Sequence, residues 1–128
     1  MARDFPEEPL TISVPLGTTW EEEWELTDDA GPVDLTGYEF RMMLRDRSTG
    51  ALLMTIDSTS PEPRATLLHA DGVIRIRVEA VDVSDLSPLN EKLGARWDAE
   101  LYKADGYVIP VVRGSATFKP RQTFPVIA

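Results

Sequence analysis

The chain has 128 residues, of which 42% are hydrophobic and 27% are charged, as expected for one globular domain. The net charge of −9 disfavours nucleic acid as a partner, because an acidic surface repels phosphate backbones. Cysteine is absent, which excludes disulfides and thiolate metal sites, and no apolar run approaches the roughly 20 residues that span a bilayer, so we expect no membrane partner.

Alternating apolar and polar residues predict β-strands over most of the chain. In chain order the predicted strands cover residues 10–14, 20–26, 40–45, 52–57, 65–68, 74–79, 97–102, 107–112 and 116–121. The alternation is clearest in the second, third, sixth and seventh of these, each with one apolar and one polar face. Their apolar members, with Leu35 at the end, predict the core: Phe40, Met42, Leu44, Ile74, Ile76, Val78, Trp97, Ala99 and Leu101.

Turn-forming residues separate the strands. Residues 28–32 predict a solvated turn, and Ser48-Thr49-Gly50 predicts a hairpin loop. Asp71-Gly72 and Asp105-Gly106 each predict a type I′ hairpin, because both residue types tolerate positive φ. Short strands at this spacing are typical of a β-sandwich or barrel.

One helix is predicted, within residues 81–93, where the chain crosses from one sheet to the other. Ser84 or Ser87 is the expected cap, with Pro88 at the first helical position. Three leucines are expected to face inward: Leu86, Leu89 and Leu93.

The two ends of the chain differ from the domain between them, which we place at residues 10–121. Residues 1–9 carry two prolines and predict an N-terminal arm. Residues 122–128 predict a C-terminal arm that either packs back on the domain or docks onto a neighbour. Phe124, Val126 and Ile127 are its candidate partner contacts.

Few residues suggest chemistry. His69 is the single histidine, and we interpret it as a turn residue, since no acid signals a catalytic triad. Asp28, Asp29 and Asp34 lack the spacing of a calcium loop and are better explained as turn residues. We therefore predict no catalytic residue, metal or cofactor.

An acidic cluster and three tryptophans leave alternatives open. Glu21, Glu23 and Glu25 line one strand face. They could act as glycosidase carboxylates if a substrate cleft lay above them, or they could attract a calcium ion. A solvated face, paired with arginines such as Arg75 and Arg77 on a neighbouring strand, explains them better. Glu22 lies on the apolar face. The tryptophans, interpreted mainly as core, could instead stack on sugars: Trp20, Trp24 and Trp97.

Two segments carry most of the remaining information. The turn Asp34-Leu35-Thr36-Gly37-Tyr38 precedes a core strand, and Trp97-Asp98-Ala99-Glu100-Leu101 runs towards Asp105-Gly106. Together they resemble the signature of a family of small all-β virion proteins of tailed bacteriophages. Further pieces follow in the family's order over residues 10–121: Leu44-Arg45, Gly50–Leu53, Asp71–Ile74, Leu86–Leu93 and Val112–Ala116.

The resemblance implies a fold and a role. The fold is an all-β, antiparallel immunoglobulin-like β-sandwich with at most one or two short helices, as in the N-terminal domains of siphophage baseplate upper proteins. The role is that of a virion structural protein, an adaptor or accessory subunit of the tail, baseplate or neck, made in the host cytoplasm and binding other virion proteins as a homo-oligomer. The alternative is a host-recognition or carbohydrate-binding module.

Overall fold

The computed structural model describes residues 10–120, apart from the side chain of Val112. The arms predicted at 1–9 and 122–128, including Phe124, Val126 and Ile127, lie outside the described residues. Ten strands and one α-helix follow in chain order within the described part: β1 Leu10–Pro15, β2 Trp20–Glu25, β3 Thr27–Asp28, β4 Gly31–Pro32, β5 Glu39–Asp46, β6 Leu52–Asp57, β7 Ala65–Leu68, β8 Val73–Val78, α1 Ala80–Asp85, β9 Leu93–Tyr102 and β10 Val108–Lys119.

Two sheets form the sandwich. The larger has the order β1-β10-β9-β5-β6, the smaller has the order β2-β8-β7, and β3 pairs with β4 in a separate short hairpin. Every pairing is antiparallel except that of β1 with β10, which is parallel. The predicted fold class is confirmed: the chain is an all-β, immunoglobulin-like sandwich with one short α-helix among the described residues.

The core lies between the two sheets, as the alternation predicts. Leu44 pairs with Trp97, and Trp97 with Gly114, so one row of inward positions crosses three strands. All ten predicted core residues are buried, with at most 3% of each exposed. Trp20 closes the opposite side of the core and packs edge-on against Phe118, with ring centroids 5.7 Å apart.

The last strand is longer than predicted. Residues 107–112 and 116–121 were expected to form two strands, but β10 runs without interruption from Val108 to Lys119. Its register against β9 shifts between Pro110 and Val112. Such a bulge takes up the extra residue without ending the strand, so the alternation breaks while the pairing continues.

The helix prediction is wrong in extent. α1 covers Ala80–Asp85, and Val83 is its buried residue. Leu89 is 79% exposed, and Leu93 belongs to β9. The helix ends before Pro88, because α conformation is disfavoured for the residue that precedes a proline. The Ser87 hydroxyl forms hydrogen bonds with the backbone of Glu91 instead of capping a helix. The predicted crossing between sheets is confirmed, since β8 and β9 belong to different sheets.

Both predicted type I′ turns have another geometry. Between β7 and β8 the loop is a 3₁₀ turn, His69–Asp71, followed by Gly72 in the left-handed region. Between β9 and β10 the amide of Gly106 bonds the carbonyl of Lys103. In each loop glycine alone takes positive φ, so the aspartate is not a left-handed residue. The loop predicted at 48–50 is confirmed, whereas the turn predicted at 28–32 is confined to residues 29–30, because residues 28, 31 and 32 pair in β3 and β4.

Candidate functional site

The sandwich is closed at one end by the segment that connects β2 to β5. Its backbone is tied to the β7–β8 loop, because the amide of Leu26 donates to the carbonyl of Gly72 and the amide of Leu35 donates to that of His69. Gly72 is required there: a Cβ atom would lie 2.6 Å from the Leu26 carbonyl and 2.7 Å from that of Val33. We call this the motif end, since it holds the turn at residues 34–38.

The turn at the motif end is fixed by its own side chains. The Asp34 carboxylate accepts hydrogen bonds from the Thr36 amide at 2.9 Å and the Thr36 hydroxyl at 2.6 Å. These bonds, the hydroxyl first, hold the pKa of Asp34 below its ordinary value. Gly37 has φ of +85°, and the amide of Tyr38 donates to the Leu35 carbonyl, which is the pattern of a type II turn.

The β9–β10 hairpin stands beside this turn. The amide of Lys103 donates to the carbonyl of Tyr107, and the Asp105 carboxylate accepts from the Tyr107 amide at 2.9 Å. The Lys103 ammonium lies 4.6 Å from the centre of the Tyr38 ring. The hairpin is therefore joined to the turn by a cation–π contact.

A small apolar pocket lies between the turn and the hairpin. It has a volume of about 250 Å³. Leu35 and Leu101 are buried in its floor, and Val33 and Ile109 are half-buried in its walls. We call it the motif-end pocket, and its lining residues are Leu26, Val33, Asp34, Leu35, Thr36, Tyr38, Leu101, Lys103 and Ile109.

The structure brings most of the predicted motif residues to this pocket. Five line it, and three shape the adjoining loops: Asp34, Leu35, Thr36, Tyr38 and Leu101, with Gly37, Asp105 and Gly106. Lys103 and Ile109 were missed from the sequence. Lys103 lies two residues after Leu101, and Ile109 lies directly opposite Leu101. Continuing the alternation of β9 past its end would therefore have indicated both residues.

Trp97 and Asp98 are not part of this site. Asp98 lies on the outer face of the large sheet, opposite Met43 and Arg113. Trp97 is buried in the core, where a Cβ atom on Gly114 would collide with its ring. Its indole Nε1 has no hydrogen-bond partner among the described residues. Glycine at position 114 thus leaves room for the Trp97 ring.

A second and larger depression lies on the outer face of the small sheet. We call it the charged groove, of about 1140 Å³, and it is lined by Glu21, Glu22, Glu23, Ser60, Pro61, Glu62, Pro63, Arg64, Thr66, Arg75, Ile76, Arg77, Glu79 and Asp82. Glu23 pairs with Arg75 at 3.1 Å, as predicted. Arg77 lies opposite Glu21 but pairs with Glu79 at 3.0 Å.

The other candidates for chemistry are explained by local structure. Glu22 is half-buried and accepts a hydrogen bond from the Trp20 indole at 3.3 Å. Asp28 accepts the amide of Ala30 at 2.9 Å, and His69 is exposed. Within residues 10–120, no three histidine, aspartate or glutamate side chains are grouped to hold a metal ion. The same residues include no helix with the length and hydropathy to cross a membrane.

Comparison with known proteins gives structural neighbours alone. Neither a family model nor a curated protein matches this sequence. Murine CRIg is similar with a TM-score of 0.45 and 13% identity over 94% of this chain and 98% of its own. Extracellular domains 3–5 of Drosophila OTK are similar with a TM-score of 0.37 and 14% identity, over 89% of this chain and 35% of theirs.

Proposed function

We propose that this chain is a structural protein of a tailed-bacteriophage virion. It serves as an adaptor or accessory subunit of the tail, baseplate or neck, and it binds other virion proteins and further copies of itself without catalysing a reaction or holding a cofactor. It is made in the host cytoplasm and ends in the virion.

One observation supports this proposal above the others. Segments far apart in the sequence, at 34–38 and 101–106, meet around the motif-end pocket. These are the segments that resemble the phage family. Beside the pocket the hairpin exposes Tyr107 by 56% and Val108 by 47%. Apolar surface of this kind, rimmed by polar groups, is typical of a protein-binding site.

The alternative, a host-recognition or carbohydrate-binding module, is the weaker proposal. Tryptophans that stack on sugars must present a ring face to solvent. Trp20 and Trp97 are 3% and 2% exposed, and Trp24 is half-buried with its ring 6.2 Å from that of Phe40.

The charged groove could serve as the cleft of a glycosidase, but neither Glu21 nor Glu23 is suited to act as its general acid. The charged groove does lie over Glu21 and Glu23. Both side chains are exposed, however, and Glu23 is ion-paired with Arg75. A general acid in a glycosidase sits in an apolar environment that keeps its proton in place.

Mass spectrometry of purified virions tests the proposal. Virions are prepared from the phage whose genome encodes this chain, and its copy number is measured against isotope-labelled standard peptides. We expect the chain at a copy number that matches the rotational symmetry of a tail, baseplate or neck ring. Its absence from virions, with other tail proteins detected, would contradict the proposal.

A further inference from the structure

We propose that the motif-end pocket of one copy receives Phe124 of a second copy, so that the C-terminal arm joins the copies. This inference deepens the proposed function, on which it rests, by naming both the receiving surface and the partner.

The pocket has the chemistry to hold one large apolar side chain. Its floor is Leu35 and Leu101, its walls include Val33 and Ile109, and its rim carries Asp34 and Lys103. Tyr107 lies in the loop just before β10 and is 56% exposed. An apolar floor within a polar rim is the composition of an interface anchor site.

The C-terminal segment of one copy is too short to reach the motif-end pocket of that same copy. β10 starts beside the pocket and runs away from it: Ile109 pairs with Leu101, and Phe118 pairs with Leu93. Eight residue steps of β9 separate these levels, or about 26 Å. Phe124 lies six residues after Phe118 and extends at most about 22 Å, even without the reversal of direction it would need. Phe124 therefore reaches a motif-end pocket only on another copy.

Charge favours the same arrangement. The turn and the hairpin beside the pocket present the exposed carboxylates of Asp34 and Asp105. The segment that would enter carries Arg121 three residues before Phe124, and Lys119 ends β10, while the ammonium of Lys103 on the rim is held against the Tyr38 ring. Opposite charges at the rim of an apolar contact fix its orientation more than they add to its affinity.

The contact joins two different surfaces. When two copies exchange arms it closes as a two-fold dimer, and when each copy passes its arm onward it does not. Repetition of such a contact gives a ring when the rotation closes and a filament when it does not. Either product suits a subunit present in many copies.

Disulfide trapping between two separate variants tests the inference. Because the chain contains no cysteine, any bridge must form between the introduced cysteines. Full-length T123C, which keeps Phe124, is mixed with full-length T36C, whose cysteine replaces a pocket-lining residue, and the mixed dimer is followed under mild oxidation. Lys103→Cys provides a second pocket position should T36C fold poorly. The matched control is T66C, which carries an exposed cysteine in the charged groove. A bridge forms readily only between cysteines whose Cα atoms approach within about 7 Å.

We expect T123C to trap T36C or K103C about tenfold or more faster than T66C. Equal trapping of all three, as for random collision or a different partner surface, would overturn the inference. So would a double variant, T36C with T123C, that closes within one chain at high dilution. Light scattering adds a second measurement: Phe124→Ala should lower the oligomeric mass, whereas Phe5→Ala in the other arm should not.

Failure here is distinguishable from failure of the proposed function. A chain found in virions but lacking selective trapping retains its structural role and loses this contact. A chain that traps selectively but is absent from virions retains the contact and loses the role.

Discussion

The motif-end pocket and the charged groove are the two concave regions that matter most, and they differ in what remains for a partner. The groove is the larger, but its three arginines are already paired within the chain: Arg64 with Asp82, Arg75 with Glu23, and Arg77 with Glu79. The pocket is small, yet the hairpin beside it leaves Tyr107 and Val108 in water. Size alone is therefore a poor guide to function in this molecule.

The difference follows from the energy of each kind of contact. An exposed ion pair contributes about 0–1 kcal/mol, because water solvates both charges nearly as well as they solvate each other. Burying a large apolar side chain contributes about 1.5–3 kcal/mol, and the described residues leave Tyr107 56% exposed. Substitutions at the motif end should therefore change stability or association, while those in the groove should change little.

Replacing Leu35 with alanine should have the largest effect. Leu35 is 1% exposed and separates the motif-end pocket from the core. Leu35→Ala should lower the free energy of unfolding by about 2–5 kcal/mol, measured by urea denaturation, since it opens a cavity that the rigid turn cannot refill. The control is Leu89→Ala, at a side chain 79% exposed, which should change stability by less than about 0.5 kcal/mol. Equal effects would mean that Leu35 does not support the core.

Replacing Gly37 should have the next largest effect, through backbone strain alone. Its φ is +85°, and a Cβ atom would meet nothing within 4 Å. Gly37→Ala should therefore destabilise by about 1–2 kcal/mol, the cost of left-handed backbone for an ordinary residue. Gly94→Ala is the matched control, because that glycine has an ordinary φ and its nearest Arg47 atoms would lie at 3.7 Å. There we expect no loss, or a gain of about 0.5–1 kcal/mol.

The sequence was informative where local periodicity decides the structure. Every predicted core residue is buried, and all but Leu35, which lies in the turn before β5, belong to strands whose alternation is uninterrupted. The sequence was less informative where backbone from a distant segment determines the local structure. The Asp71-Gly72 dipeptide predicts a two-residue turn, but glycine is needed at position 72 because the carbonyls of Leu26 and Val33 pack against it. The motif-end pocket could be anticipated from the turn at 34–38, yet Lys103 joins it only through pairing across the β9–β10 hairpin.

Acid should weaken the motif end by protonating Asp34. The Thr36 hydroxyl and amide lower the pKa of Asp34 in the folded state, so the unfolded state binds a proton more readily. The stabilisation is present above the unfolded pKa and is lost as the pH falls through the folded pKa. Thr36→Val removes the larger cause and should raise the pKa of Asp34, measured from carboxyl chemical shifts in an NMR titration. An unchanged midpoint in that variant would show that the hydroxyl bond does not hold the charge.

The smallest effect is expected at the Glu23–Arg75 pair. Each side chain is 56% exposed, so water competes for both charges. A double-mutant cycle with Glu23→Gln and Arg75→Gln should give a coupling below about 1 kcal/mol, decreasing further as salt is added. The double variant should also leave T123C–T36C trapping unchanged, because the pair lies on the outer face of the other sheet. A larger, salt-resistant coupling, or loss of trapping, would mean that the groove is organised for a partner and would reverse the comparison drawn between the two regions.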